Sequence, residues 1–436
     1  MAQLTPWAFI LFKFSDDNSE PNPREFYEEL FTEVGRGTHN IVDYWESVSH
    51  HQVDLSGSEV IGWLTIDQTL QQWQADQAQL GMDITNLAQL QNNQADQRLI
   101  DTAQANVQAG FKKLRYDVIQ QVRQAAASAD FSLSKYYGIV AVSNVSFDLW
   151  GSPREALISG TTTDLSGLAH EMGHGYGLPH SMDTRYGDYT DWWDIMSYGS
   201  CAMVSFPDHG RFTNGCGPVL NAHNMERLGW LDATRVFVWN RDNGSGHQTI
   251  RLCALTSLND LGFLAAKVDQ YLVEFRFPES WDGGIPRACV MVHTGEVVKN
   301  SGVLALTPIL QTASSGRQDA QVGDIFHVMG GATNPLVARF TEYLAIRVDA
   351  IDLDKRVATI SVIYEPLSRR FEEQPTIRRW IIPGVVGIGE DGEVIPVPPR
   401  QEMQGILTDT VLNELANYVE SRLNTAKFNS VKRNNS

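Results

Sequence analysis

The stretch HEMGHGYGLPHS, residues 170–181, gathers three of the chain's 11 histidines into twelve residues. His170 and His174 stand four apart. On a helix that spacing puts both imidazoles on one face, about 5–6 Å apart at Cβ. Two such rings can grip one ion at roughly 2.0–2.1 Å per nitrogen. The preceding TTTDLSGLA supplies a helix start: Thr163 or Asp164 can cap it, and Leu165, Leu168, Ala169 and Met172 form an apolar stripe to bury. Gly177 then ends the helix, because glycine takes a left-handed conformation without steric penalty, and Pro179 stiffens the approach of His180. Gly173 and Gly175 are poor helix residues, each costing up to about 1 kcal/mol relative to alanine. Close approach of neighbouring backbone or substrate would explain that cost.

Three neutral histidines leave a zinc ion one open position, the arrangement of a catalytic site, whereas structural zinc is usually closed by four protein ligands. His170, His174 and His180 are therefore the expected zinc ligands. Water in the open position is acidified to a pKa of about 7. Glu171 cannot share the direction of His170, so it is free to take the proton of that water and pass it to a leaving amine.

The spacing H-E-x-x-H-x-x-G-x-x-H resembles the signature of metzincin zinc peptidases. DWWDIMSYGS, beginning at Asp191, strengthens the likeness. Metzincins carry a Met-turn whose methionine lies beneath the histidines, and Met196 is sixteen residues beyond His180. Tyr198 is two residues further. In the astacin-like and serralysin-like groups a tyrosine at this offset ligates zinc or stabilises the oxyanion; the alternative is a buried structural tyrosine. Residues 7–65 and 136–236 resemble the immune inhibitor A-like (M6) peptidases. There a Y-x-x-x-S segment precedes a DLSG-like strand, and NAHNMERLGWLDATRV (221–236) looks like the final helix of the catalytic domain and its exit into a β domain. The resemblance implies a zinc endopeptidase acting on an extended polypeptide, generally secreted.

The fold expected is α+β: a metzincin-type catalytic domain over 1–231, a β-sandwich over 232–366, and a tail over 367–436. WAFILFKF reads as an opening strand, a helix follows, and a second helix starts near Asn40. Residues 66–127, rich in Gln, Ala and Asp, read as a helical insertion. Val107, Phe111, Leu114, Val118 and Val122 keep helical spacing, which predicts one long helix from about Ala95 to Ala127. YYGIVAVSN (136–144) is a strand, and NVSFDLWG with REALISG borders the cleft, where backbone groups could pair with an extended peptide. TIRLCAL, YLVEFRF, ACVMVH, YLAIRVDAIDL and VATISVIY are β-branched, partly alternating runs. In the tail, IIPGVVGIGEDGEVIPVPP predicts a hairpin and ILTDTVLNELANYVESRL a helix.

A chain of 436 residues with 42% hydrophobic content can bury a substantial core. Its net charge of −18 argues against a nucleic-acid or anionic-membrane surface. Solubility explains the acidity simply. Calcium is a second candidate cation, because Asp183, Asp188, Asp191 and Asp194 cluster after the histidines, although EF-hand spacing is missing. No apolar run of about 18 residues predicts a membrane span. WAFILF is too short for a signal peptide, and little room precedes it for a propeptide. A trimmed chain, an intracellular enzyme or an unusual export route is therefore expected. Cys201 and Cys216 flank a loop and could pair; Cys253 and Cys289 lie in separate strand-like runs. His209, His223, His247, His293 and His327 read as surface or satisfied core histidines. Two other functions fit the motif: a metal-holding interaction protein without catalysis, and a metal-dependent amidase on a non-protein amide. Oligomeric state is not legible.

Overall fold

The computed structural model describes residues 2–161, 164–183, 187–198, 201–204, 215–240, 244, 246–258, 260–294, 298–300, 304–309, 318–327, 342–366, 386–388 and 394–396. It is a mixed α+β chain with several sheets and helices. The run WAFILF explains the first layer arrangement. Strand β1 (Trp7–Lys13) is buried on both faces, as parallel strands with helices on either side are. Trp7, Phe9 and Leu11 enter one core with Tyr44, Trp45, Leu168 and Met172. Ala8, Ile10 and Phe12 enter another with Val118, Ile119 and Val122.

Four more strands complete this sheet: β2 (Glu59–Thr65), β3 (Gly138–Ser143), β4 (Trp150–Ser152) and β5 (Glu155–Ser159). The order is β2-β1-β3-β5-β4, parallel except for β4, which runs antiparallel to β5 and forms the edge. Helices α1 (Arg24–Phe31) and α2 (Ile41–Val48) cover one face. Asn40 caps α2 in a capping box with Asp43, as its position predicted. Helices α3 (Leu70–Asn92), α4 (Gln97–Leu114) and α5 (Tyr116–Ser128) occupy the other side. The long helix expected over 95–127 is thus two helices. The break falls at Arg115, φ −118 and ψ −72. The Arg115 side chain stacks on Phe111 and binds Asp148, while Leu114 and Val118 keep helical spacing across the break and so hide it.

Helix α6 (Leu165–Gly175) carries His170 and His174, and α7 (Ala222–Arg227) follows later in the chain. Further strands are β6 (Ser181–Asp183), β7 (Gly187–Asp188), β8 (Val236–Trp239), β9 (Gly246–Cys253), β10 (Ala265–Val268), β11 (Tyr271–Arg276), β12 (Cys289–Thr294), β13 (Leu304–Ile309), β14 (Ile325–His327), β15 (Glu342–Asp352) and β16 (Val357–Pro366). One sheet runs β8-β10-β11-β12-β13-β6-β7 and another β9-β16-β15-β14. Val273, Phe275, Val290 and Val292 from the first share a core with Ile250, Ile346, Val348 and Ile360 from the second, so the two sheets pack face to face.

The boundary expected at 231/232 is crossed by covalent neighbours of the site. β6, which begins directly after His180, pairs in parallel with β13, Thr307 opposite Ser181. The fold also holds buried polar pairs. Arg276, fully buried, meets Glu274 at 3.1 Å and Asp282 at 2.5 Å. His293 Nε2 lies 2.9 Å from Asp191 Oδ2, with neither side chain exposed. In the tail, Val386–Ile388 and Val394–Pro396 pair as the expected hairpin; the expected helix after it lies outside the described residues. No described helix is long and apolar enough to cross a membrane.

Candidate metal centre

Asp164 caps α6, its carboxylate accepting from Gly167 N at 3.0 Å; the other candidate cap, Thr163, lies outside the described residues. Leu165, Leu168, Ala169 and Met172 are buried as the stripe predicted. The helix ends in a Schellman turn: Gly177 takes φ +91, its N–H donates to His174 O, and Leu178 N–H donates to Gly173 O. That turn brings the carbonyl of Leu178 back to His174 Nδ1, 2.8 Å away. One local structure therefore stops the helix and fixes a ring.

Gly173 has a different reason. A Cβ there would fall 2.5 Å from Met196 Sδ. Met196 is fully buried in the turn Ile195–Ser197, directly against α6. The carbonyl of its neighbour Ile195 accepts from His170 Nδ1 at 2.9 Å. Asp194 holds the turn, accepting from Met196 N, Asn221 N and Asn224 Nδ2.

His170, His174 and His180 each offer a ligand atom within 4.8 Å of the others. Their chemistry fits a cation. A carbonyl oxygen can only accept, so Nδ1 of both His170 and His174 carries the proton. In the neutral rings both Nε2 atoms then present lone pairs, yet they lie 3.1 Å apart. Protonation does not supply the missing hydrogen. Burial and the neighbouring histidines hold His170 well below the ordinary histidine range, burial lowers His174, and burial with His174 takes His180 down to about 3. Two facing lone pairs with no proton between them want a metal ion, and carbonyl-bound Nδ1–H groups are the usual orienting partners of ligating histidines.

Glu171 points beside this cluster and is 5% exposed. Burial, helped by the charge of Asp148, pushes its carboxyl up to about 8. Strand β4 comes close here: a Cβ on Gly151 would lie 2.9 Å from Glu171 Oε2. The histidines and Glu171 line a cleft of about 460 Å³.

The Tyr198 ring lies beside His170, centroids 5.8 Å apart. Its hydroxyl donates to Asp164 Oδ2, the carboxylate that caps α6. Burial and that carboxylate raise its pKa far above the usual phenol value. A second phenol meets the cluster: Tyr189, whose hydroxyl lies 2.6 Å from His180 Nε2. Nothing in the spacing from His180 singled Tyr189 out. Of the aspartates considered for calcium, Asp191 is held by His293 and by the N–H of Trp193, and Asp194 by the turn it caps; the side chains of Asp183 and Asp188 lie outside the described residues. All four cysteines are buried thiols. Among the described residues the three histidines are the only group found with metal-binding geometry.

Comparison with protein-family models, with curated proteins and with solved structures returns no match to this chain.

Proposed function

We propose that the protein is a zinc-dependent endopeptidase of the metzincin type, hydrolysing peptide bonds of polypeptides laid along β4. The observation that carries the reading is the pair of Nε2 lone pairs 3.1 Å apart, with His180 alongside and a buried carboxylate that needs no place among the ligands. A bound zinc ion would supply Lewis acidity, polarising the scissile carbonyl and acidifying water. His170, His174 and His180 would hold it. The hydrogen bonds to Ile195 O and Leu178 O fix two of the rings in the tautomer that ligates.

Glu171 takes the proton from the attacking water and returns it to the amine that leaves, work that suits a carboxyl with a pKa near neutrality. Strand β4 is a sheet edge beside the cleft, so an extended substrate can add to it by main-chain hydrogen bonds. Tyr189 presents a phenolic O–H beside the histidines for a developing oxyanion, while the Tyr198 hydroxyl beside His170 is engaged by Asp164. A digest of a denatured protein library, with and without a chelator, tests the activity. Chelator-sensitive cleavage supports it; zinc binding without cleavage points to a metal-holding interaction protein, and hydrolysis confined to non-peptide amides to an amidase.

A further inference from the structure

The connection from β2 to β3 is far longer than a crossover needs. A parallel crossover takes a dozen or more residues, usually one helix, and α5 alone, packed on the sheet through Val118, Ile119 and Val122, makes the return. The antiparallel pair α3–α4 is extra. Its far end is not idle. The break at Arg115 turns the end of α4 and the start of α5 over the cleft, so Phe111, Lys112, Arg115 and Tyr116 face the histidines across the cavity, with Leu149 and Trp150 beside them.

Both cations of this wall are already matched. The Arg115 guanidinium lies over the Phe111 ring at 4.4 Å and binds Asp148, its Nε 2.9 Å from Oδ2. Lys112 pairs with Asp117 at 2.7 Å, its ammonium 5.5 Å from the Tyr116 ring. With both cations paired, the wall offers a ligand mainly aromatic and aliphatic surface, with Gln108 as a neutral polar neighbour. Arg115 also pins the wall to the β3–β4 connection through Asp148, so the surface is preorganised.

We propose that this helical segment is a specificity wall: Phe111, Tyr116, Leu149 and Trp150 form a subsite for a large apolar, preferably aromatic, side chain of the polypeptide substrate. The inference rests on the peptidase reading, since it is the neighbouring histidine cluster and the edge strand β4 that give the side chain a main chain to hang from. Even one methylene more or less in such a pocket is worth roughly 10–200-fold in discrimination.

Two measurements test it separately from the activity. Peptides differing at one position, Phe, Leu, Ala, Asp or Lys, are compared by kcat/KM with zinc-loaded protein. The same labelled peptides are titrated, by fluorescence anisotropy, onto zinc-loaded Glu171→Gln. The expected result is a Phe-over-Ala ratio of about tenfold or more in both assays, reduced toward one by Phe111→Ala and largely kept by Phe111→Leu. Circular dichroism checks that each variant is folded. Cleavage with no aromatic preference, a preference for Asp, or a Phe-over-Ala ratio unchanged in Phe111→Ala overturns the subsite while leaving the peptidase standing. Preferential binding of the Phe peptide without any cleavage by the parent keeps the subsite and removes the peptidase reading.

Discussion

Gly173→Ala puts one methyl group into the contact between α6 and the Met196 turn. The new Cβ would sit 2.5 Å from Met196 Sδ and 3.2 Å from its Cε, against an ordinary separation of about 3.5–4.0 Å between carbons. Met196 is fully buried and has no route to solvent, so the turn must move by about 1 Å. Alanine gains about 1 kcal/mol of helix propensity over glycine, and overpacking costs about 1–3 kcal/mol. The net loss of stability is therefore at most about 2 kcal/mol, and the protein should fold. The larger effect falls on the metal. Moving the turn shifts Ile195 O away from His170 Nδ1, a 2.9 Å bond, and loss of such an orienting bond typically weakens metal binding by about 10–100-fold. Zinc affinity by competition with a chromophoric chelator, beside chemical denaturation, reads both effects. Adding Met196→Ala removes the clashing sulfur, so the double-mutant cycle should give a favourable coupling of about 0.5–3 kcal/mol. Parent-like zinc affinity in Gly173→Ala, or a cycle with no coupling, would refute the contact as the reason for this glycine.

Tyr198→Phe should cost about 1–3 kcal/mol of stability, the penalty of leaving its acceptor without this donor, with zinc retained and kcat within about threefold; a tenfold fall in kcat at parental stability would return Tyr198 to the oxyanion. His293 gives a pH dependence. Burial opposes its charge, but Asp191, Glu274 and Asp194 together hold its pKa above 6.5. The folded state thus binds this proton more tightly than the unfolded chain, so the stabilisation is complete below pH 6.5 and lost as pH rises through the folded pKa. Urea denaturation from pH 6 to 9 should show that decline in the parent. His293→Gln, which breaks a buried pair at a cost of about 3–5 kcal/mol because one partner is left uncompensated, should be less stable at pH 6 and flatter above it. A decline of the same size in the variant would assign it to other groups.

What the sequence made legible was local. Leu165 to Gly177 carries its own cap, apolar stripe and stop signal, so α6 and the approach of His170, His174 and His180 follow from neighbouring residues. WAFILF marks a strand for the same reason, and the structure adds that it is buried on both faces. The break at Arg115 was hidden because Leu114 and Val118 keep helical spacing across it. The Asp191–His293 pair joins residues 102 apart, and β6 pairs with β13 more than a hundred residues downstream; no periodicity reports such contacts. Tyr198 was assigned by its offset from Met196, while the competing acceptor, Asp164, lies 34 residues upstream. Tyr189 reaches His180 through a turn whose residue Tyr189 itself has φ +61, a conformation that its neighbours in sequence do not announce.

The most direct test is Glu171→Gln, with zinc measured by elemental analysis and peptide cleavage measured on the same sample. We expect one zinc per chain in both parent and variant, because Glu171 is not among the three ligands, and cleavage reduced by about 10²–10⁴-fold in the variant. Cleavage close to the parent's with zinc retained, or a parent that takes up no zinc, would contradict the assignment of this site as a zinc peptidase centre with Glu171 as its base.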